Sequence, residues 1–205
     1  MPISPRPEVE GLQPAVHGGP DYAELEALGI APEEVLDFSV CSNPFGPPPG
    51  LREALDAVAF DRYPDSEATA LRRALAAKLG VTLESLLVGS GSTELIRLAA
   101  LTYLRPQDTA LILAPTFGEY EVACRLAGAR VSHQVARAEA AFRLQIPETL
   151  DIIREQRPRA VFLCQPNNPT GQYLERHEVE ALLQAAPESL VVMDEAYIAF
   201  VDDAW

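Results

Sequence analysis

The feature that most restricts the fold is a set of short apolar runs separated by segments of helical period. Thr109 to Ala114 (TALILA), Ala160 to Cys164 (AVFLC) and Ser189 to Met193 (SLVVM) show no polar alternation. Strands of this kind are buried on both faces, as in a parallel sheet covered by helices on each side. Apolar spacing predicts helices over 51–58, 68–79, 93–104, 120–127, 147–156 and 175–186. The apolar side of the 93–104 helix is expected to be Leu95, Ile96, Leu98, Ala99 and Leu101. Further strands are expected over 85–88 and 130–135. Residues 1–36, rich in Pro and Gly, read as an arm with one short helix near 21–28. The expected architecture is α/β, three layers deep.

Sheets of this class bind ligands at the carboxyl ends of their strands. Four loops there carry unusual residues: GSGSTE after 85–88, PTFGEY after TALILA, QPNNPTG after AVFLC and DEAY after SLVVM. In the first, Gly91, Ser92 and Thr93 open a helix whose free N–H groups and dipole suit a phosphate. The same residues also suit a turn with Ser92 or Thr93 as helix cap and no ligand. Asn168 before Pro169 is a turn signal, and equally an amide placed to donate to a ligand. Asp194 follows a fully apolar strand and needs a partner there. A protonated pyridine nitrogen fits that description; so does a helix that Asp194 caps. Tyr197 lies three residues on, within reach of the same ligand. Phe117 can stack on a flat ring or pack in the core.

Acidic residues outnumber basic ones by 30 to 16, a net charge of −14. That balance argues against binding to nucleic acid or to an anionic membrane face. No apolar run approaches the roughly 20 residues that cross a bilayer, and MPISPRPEVEGLQP has no signal-peptide core. Cys41, Cys124 and Cys164 fit no zinc or redox spacing, which points to a reducing cytoplasm. His17, His133 and His177 have no metal-ligand spacing, so no metal is expected.

The ordered segments SNPFGPP, RYPD, GSGSTELI, PTFGEY, QPNNPTG and VVMDEAY together resemble fold-type I pyridoxal-phosphate (PLP) enzymes. Within them the chain is most similar to the class I/II aminotransferases, in the group uniting histidinol-phosphate aminotransferase with threonine-phosphate decarboxylase. The resemblance runs from about His17 to Tyr197. It implies an N-terminal arm and part of a small domain over 1–49, and an incomplete PLP-binding large domain over 50–205, with a mostly parallel sheet. It implies that Gly91, Ser92 and Thr93 hold the cofactor phosphate and that Phe117 stacks on the pyridine ring. Asn168 and Tyr197 match the pair that bonds the 3′ oxygen, and Asp194 the carboxylate that pairs with the pyridine nitrogen. Tyr63 matches a tyrosine that reaches the phosphate of the neighbouring subunit of a homodimer. Asn43 and Tyr120 are expected near a small amino substrate. His17-Gly18-Gly19 and the LDFSV segment look like the decarboxylase branch, while histidinol-phosphate aminotransferase or a general aminotransferase is the broader assignment; either way the resemblance implies a phosphorylated amino acid or amino alcohol as substrate.

Two departures accompany the resemblance. Cys41 stands where the group usually has Asn in Asn-x-Asn-Pro. Lys78 is the only lysine, it falls in a predicted helix, and no Schiff-base lysine follows DEAY. The chain is therefore expected to be the N-terminal portion of such an enzyme. The alternatives are a non-catalytic or partner-dependent half, and a nucleotide-binding protein of the same layered class resting on the glycine loop alone. A strand as apolar as SLVVM at a sheet edge is expected to invite pairing with another chain.

Overall fold

A computed structural model describes residues 3–41, 43 and 45–202. They divide into two compact units, residues 3–15 with 89–202, and Val16–Val88.

The unit Val16–Val88 is helical. It contains α1 (Tyr22–Leu28), α2 (Leu51–Asp56) and α3 (Thr69–Leu79). Asp21 starts α1 by accepting from the N–H groups of Ala23 and Glu24 at 2.9 and 3.1 Å, and Gly29 ends it in the left-handed region. The HGG and LDFSV segments meet here. A Cβ on Gly18 would stand 2.0 Å from the carbonyl oxygen of Ser39, so only glycine fits. The amide of Gly19 donates to Ser39 Oγ at 2.8 Å, and Ser39 Oγ donates to Asp37 at 2.6 Å.

Residues 85–88 form no strand, contrary to the expectation. Leu83–Ser85 is a 3₁₀ turn, Leu86 is extended, and residues 86–88 join no ladder. A four-residue apolar run becomes a strand only beside a neighbour that takes its hydrogen bonds, and among the described residues it has none.

The larger unit contains α4 (Ser92–Tyr103), β1 (Thr109–Ala114), α5 (Glu119–Leu126), β2 (Arg130–Val135), α6 (Ile146–Gln156), β3 (Ala160–Cys164), α7 (Arg176–Ala185) and β4 (Leu190–Asp194). The four strands form one parallel sheet in the order β2-β1-β3-β4. Thr109 pairs with Arg130, Ala110 with Ala160, and Cys164 with Asp194. The chain winds outward from β1 to β2, returns past β1 to β3, and continues to β4. The direction of winding therefore reverses between β1 and β3, the place at which sheets of this class bind ligands.

Residue parity sorts the core into two faces. Ala110, Ile112, Ala160, Phe162 and Cys164 pack with Ile96, Ala100, Tyr120, Ala123 and Cys124 of α4 and α5. Leu111, Leu113, Val161 and Leu163 pack with Ile153, Val179 and Leu182 of α6 and α7. Every residue of β3 is buried, which explains its unbroken apolar run. α4 is narrower in its contact than its sequence implies. Only Ile96 and Ala100 are buried, while Leu98 and Leu101 are exposed. The helix meets the sheet along a single i, i+4 stripe, and the other leucines flank it. The N-terminal segment returns to this unit, where Arg6 donates to the carbonyl of Leu126 at 2.8 Å. No helix among the described residues is long and apolar enough to cross a membrane.

The loop after β3 is closed at its base by one buried side chain. Gln165 Nε2 donates to the carbonyl of Leu174 at 2.9 Å, and its Oε1 accepts from the Leu174 amide at 3.0 Å. The side-chain amide imitates a strand neighbour and satisfies both backbone groups of a buried residue. Gln165→Leu is expected to lower stability by about 3 kcal/mol, because it strands two buried backbone groups. Urea denaturation should show the midpoint falling at constant slope.

Candidate active site

Four segments converge around the carboxyl ends of the strands. The loop after β1 leads through Pro115, Thr116 and Phe117 into α5. The loop after β3 spans Gln165 to Gly171, Asp194 closes β4, and the start of α4 lies on the helical face that covers this side of the sheet.

Asp194 shares its parity with Leu190 and Val192, so it lies on the α4/α5 face. Its Oδ2 accepts from the hydroxyl of Tyr120 at 2.8 Å, and its Oδ1 accepts from the Ala196 amide at 3.0 Å. The second bond is an Asp turn. Among the described residues the only helical element that follows is a 3₁₀ turn over Ile198–Phe200, with Tyr197 at its N-cap, so Asp194 caps no helix there.

Tyr120, expected as a substrate contact, has no exposed surface. Its ring stacks on Phe162 at 5.5 Å and 24°, and Phe117 meets it edge-on at 5.7 Å and 81°. The hydroxyl of this enclosed ring is spent on Asp194. Burial pushes the Tyr120 phenol far above its usual range, and the neighbouring Cys164 and Asp194 push it the same way. Phe117 is half-buried, with its edge on Tyr120. Tyr197 is half-buried, with its ring 6.3 Å from that of Phe200.

The glycine loop turns sharply. Gly91 has φ 85° and ψ 172°, a conformation essentially confined to glycine. It is the N-cap of α4, so neither Ser92 nor Thr93 caps the helix, contrary to the capping alternative. Glu94 instead turns back and accepts from the Ser90 amide. Among the described residues the hydroxyls of Ser92 and Thr93 make no hydrogen bond, and both sit in the first turn, whose N–H groups have no helical acceptor. α4 and α5 are tied by Arg97 Nη2 on Glu119 Oε2 at 2.8 Å, with the glutamate buried.

The two asparagines of QPNNPTG divide. The side chain of Asn167 is spent inside the protein, on Pro115, Thr116 and Thr170. The half-buried Asn168 has no side-chain partner among the described residues. Its amide N–H donates to Cys164 Sγ at 3.4 Å, and that thiol donates to the carbonyl of Pro166 at 3.3 Å. Burial raises the Cys164 thiol, which keeps it a neutral hydrogen-bonding group. Asn167, Thr116, Cys164 and Gln165 were not among the expected site residues. Adjacent amides in a turn-rich loop are the only sequence signal for them. Beneath the loop, toward α6 and α7, lies a cavity of about 50 Å³ reached by Cys164, Asn167 and Thr170, with room for a few waters.

Asn43 and Tyr63 belong to the unit Val16–Val88. Asn43 uses its amide in its own turn, donating to Gly46 O at 2.8 Å and accepting from the Phe45 amide at 3.0 Å. Tyr63 is exposed. Ser42 and Pro44 of the SNPFGPP segment lie outside the described residues. Lys78, in the last turn of α3, belongs to the same unit as Asn43 and Tyr63.

The burial of the Tyr120 phenol, with Cys164 and Asp194 beside it, has a consequence for alkaline stability. A phenol held protonated in the fold but free to ionise when unfolded contributes stability that is complete below about pH 10. That contribution is lost above it, at roughly 1.4 kcal/mol per pH unit until the folded group itself titrates. Denaturation between pH 9 and 11 should show a steeper loss in the wild type than in Tyr120→Phe.

Residues 33–205 match the family described as aminotransferase class I and II. Histidinol-phosphate aminotransferase of Moorella thermoacetica is 38% identical over 200 residues, 96% of this chain and 50% of that protein. The structure of L-threonine-O-3-phosphate decarboxylase from Porphyromonas gingivalis superimposes with a TM-score of 0.61 at 29% identity, over 74% of this chain and 44% of the other. That of histidinol-phosphate aminotransferase from Sinorhizobium meliloti, in complex with pyridoxal-5′-phosphate, gives 0.78 at 22% identity over 96% of this chain and 52% of the other. The last likeness establishes the fold. The chain spans about half the length of the relatives it matches. By family match, identity and fold, the chain belongs to the class I and II aminotransferases and is similar, over the N-terminal portion of that fold, to histidinol-phosphate aminotransferases and threonine-phosphate decarboxylases.

Proposed function

We propose that the chain supplies much of the cofactor-holding part of a PLP-dependent enzyme that transfers an amino group to or from, or decarboxylates, a small phosphorylated amino acid or amino alcohol. The observation that carries this reading is Asp194, fixed at the carboxyl end of β4 by Tyr120 and the Ala196 amide. A carboxylate oriented by two donors at this edge of the sheet suits a protonated ring nitrogen. The remaining groups fit the same cofactor. Gly91 turns the chain as only glycine can, and the uncommitted hydroxyls of Ser92 and Thr93 stand at a helix N-terminus, which suits a phosphate. Asn168 retains an amide for the 3′ oxygen, with Tyr197 as its partner there. Phe117 would cover one face of the ring.

When bound, PLP supplies an electron sink for charge developing at the α-carbon of the amino substrate. Asp194 would hold a proton on the ring nitrogen, with Tyr120 fixing the carboxylate. Asn168 and Tyr197 would hold the 3′ oxygen and so tune the proton there. The −14 net charge does not oppose phosphate binding, because the grip is local.

In the assembled enzyme, residues 1–49 would form the arm and part of the smaller domain, and 50–205 part of the cofactor-binding domain. Tyr63 would reach the phosphate of the partner in a homodimer, and Asn43 would lie near the substrate. The composition suits a cytoplasmic enzyme. The close approach of Gly18 to Ser39 joins the two segments that lean toward the decarboxylase branch.

Titration of the chain with PLP, followed by absorbance and fluorescence, tests the reading. Saturable binding is expected, with inorganic phosphate competing. Asp194→Asn and Gly91→Ala should each weaken it by about tenfold or more, the first by removing the charge partner and the second by straining the phosphate turn. Binding that is non-saturable, or that ignores both substitutions, would overturn the proposal.

A further inference from the structure

Adjacent asparagines in one loop raise a question that chemistry alone does not answer: which of them serves the ligand, and what the other does. Asn167 spends its whole side chain internally. Nδ2 donates to the carbonyl of Pro115 at 2.8 Å and to Thr170 Oγ1 at 2.8 Å, while Oδ1 accepts from Thr116 Oγ1 at 2.7 Å. Its backbone is committed too: its amide donates to Gln172 O at 2.8 Å, and its carbonyl accepts from the Gly171 amide at 2.7 Å. Pro115 and Thr116 belong to the loop after β1, which carries Phe117. Thr170 and Gly171 belong to the loop after β3, which carries Asn168, and Gln172 follows directly. One side chain thus bridges both loops where the winding of the sheet reverses.

We infer that Asn167 is a positioning residue, a buckle that holds the Phe117 loop and the Asn168 loop at one fixed separation. The inference deepens the cofactor reading above and, in its cofactor arm, rests on it. Parallel strands leave their loops free to diverge at this point, and the ladder ends with the strands. A ring-stacking residue and an amide that serve one flat ligand must keep their separation to a fraction of an ångström. Asn167 is suited to this because an amide donates and accepts at once. An aspartate of the same shape still accepts from Thr116 but cannot donate to the Pro115 carbonyl, and its charge repels that oxygen.

The test compares wild type, Asn167→Asp, Thr116→Val and Asn168→Ala by hydrogen exchange and by PLP titration. In Asn167→Asp, exchange is expected to rise about tenfold or more at Thr116 to Gly118 as well as at Asn167 to Gln172. PLP affinity should fall by about tenfold. Thr116→Val, which removes only the donor to Oδ1, should move both readouts in the same direction by less. Asn168→Ala should weaken PLP while leaving exchange at Thr116 to Gly118 unchanged. A rise confined to the second loop in both Asn167→Asp and Thr116→Val would overturn the buckle. So would unchanged exchange together with PLP affinity within about twofold of wild type. If the wild-type chain binds no PLP, the functional proposal fails, while the exchange comparison between the two loops still decides the role of Asn167.

Discussion

The carboxyl edge of a parallel sheet is where its hydrogen-bond ladder ends and its loops depart, and the departing backbone groups must still be paired. In this chain side-chain amides meet that requirement. Gln165 pairs with both backbone groups of Leu174, and Asn167 joins the loops after β1 and β3. Both residues lie in the QPNNPTG segment, so one heptapeptide closes its own loop and fixes its distance from the neighbouring one. The position of Asn168 follows from these bonds, with Cys164 fixing its amide N–H from below.

The core and the candidate site share a residue in Tyr120. Its ring belongs to the apolar face between Phe162 and Phe117, and its hydroxyl is the donor to Asp194. A carboxylate at the end of an apolar strand is thereby oriented from within the core. Arg97 and Glu119 add a second tie, between the helix that begins at the glycine loop and the helix that carries Tyr120. The segment FGEY thus supplies a residue to each tie, which accounts for a glutamate that is almost fully buried.

The strands TALILA and AVFLC and the helix positions were legible in the sequence because double burial and helical amphipathicity are written in local spacing. The run at 85–88 was equally apolar and formed no strand, since a ladder needs a neighbour that no local pattern reveals. The leucines of α4 misled for a related reason. Periodicity marks an apolar side but not how wide a stripe the sheet covers, and here the stripe is Ile96 and Ala100. Ser92 and Thr93 read equally as caps or as ligand groups. The φ of Gly91 and the return of Glu94 to the Ser90 amide decided against the caps.

By itself the sequence determined the layered parallel architecture, the order of the loops at its carboxyl edge, and the family through six ordered segments. Those properties depend on neighbours along the chain and on residue types in series. Tertiary structure alone decided the division of work between Asn167 and Asn168 and the role of Tyr120 as the donor to Asp194. The partners concerned are 51 or 52 residues apart in one case and 74 in the other. The physical reason is that a hydrogen bond depends on where two groups meet in space. Two adjacent amides with the same chemistry differ only in what the fold brings to each of them.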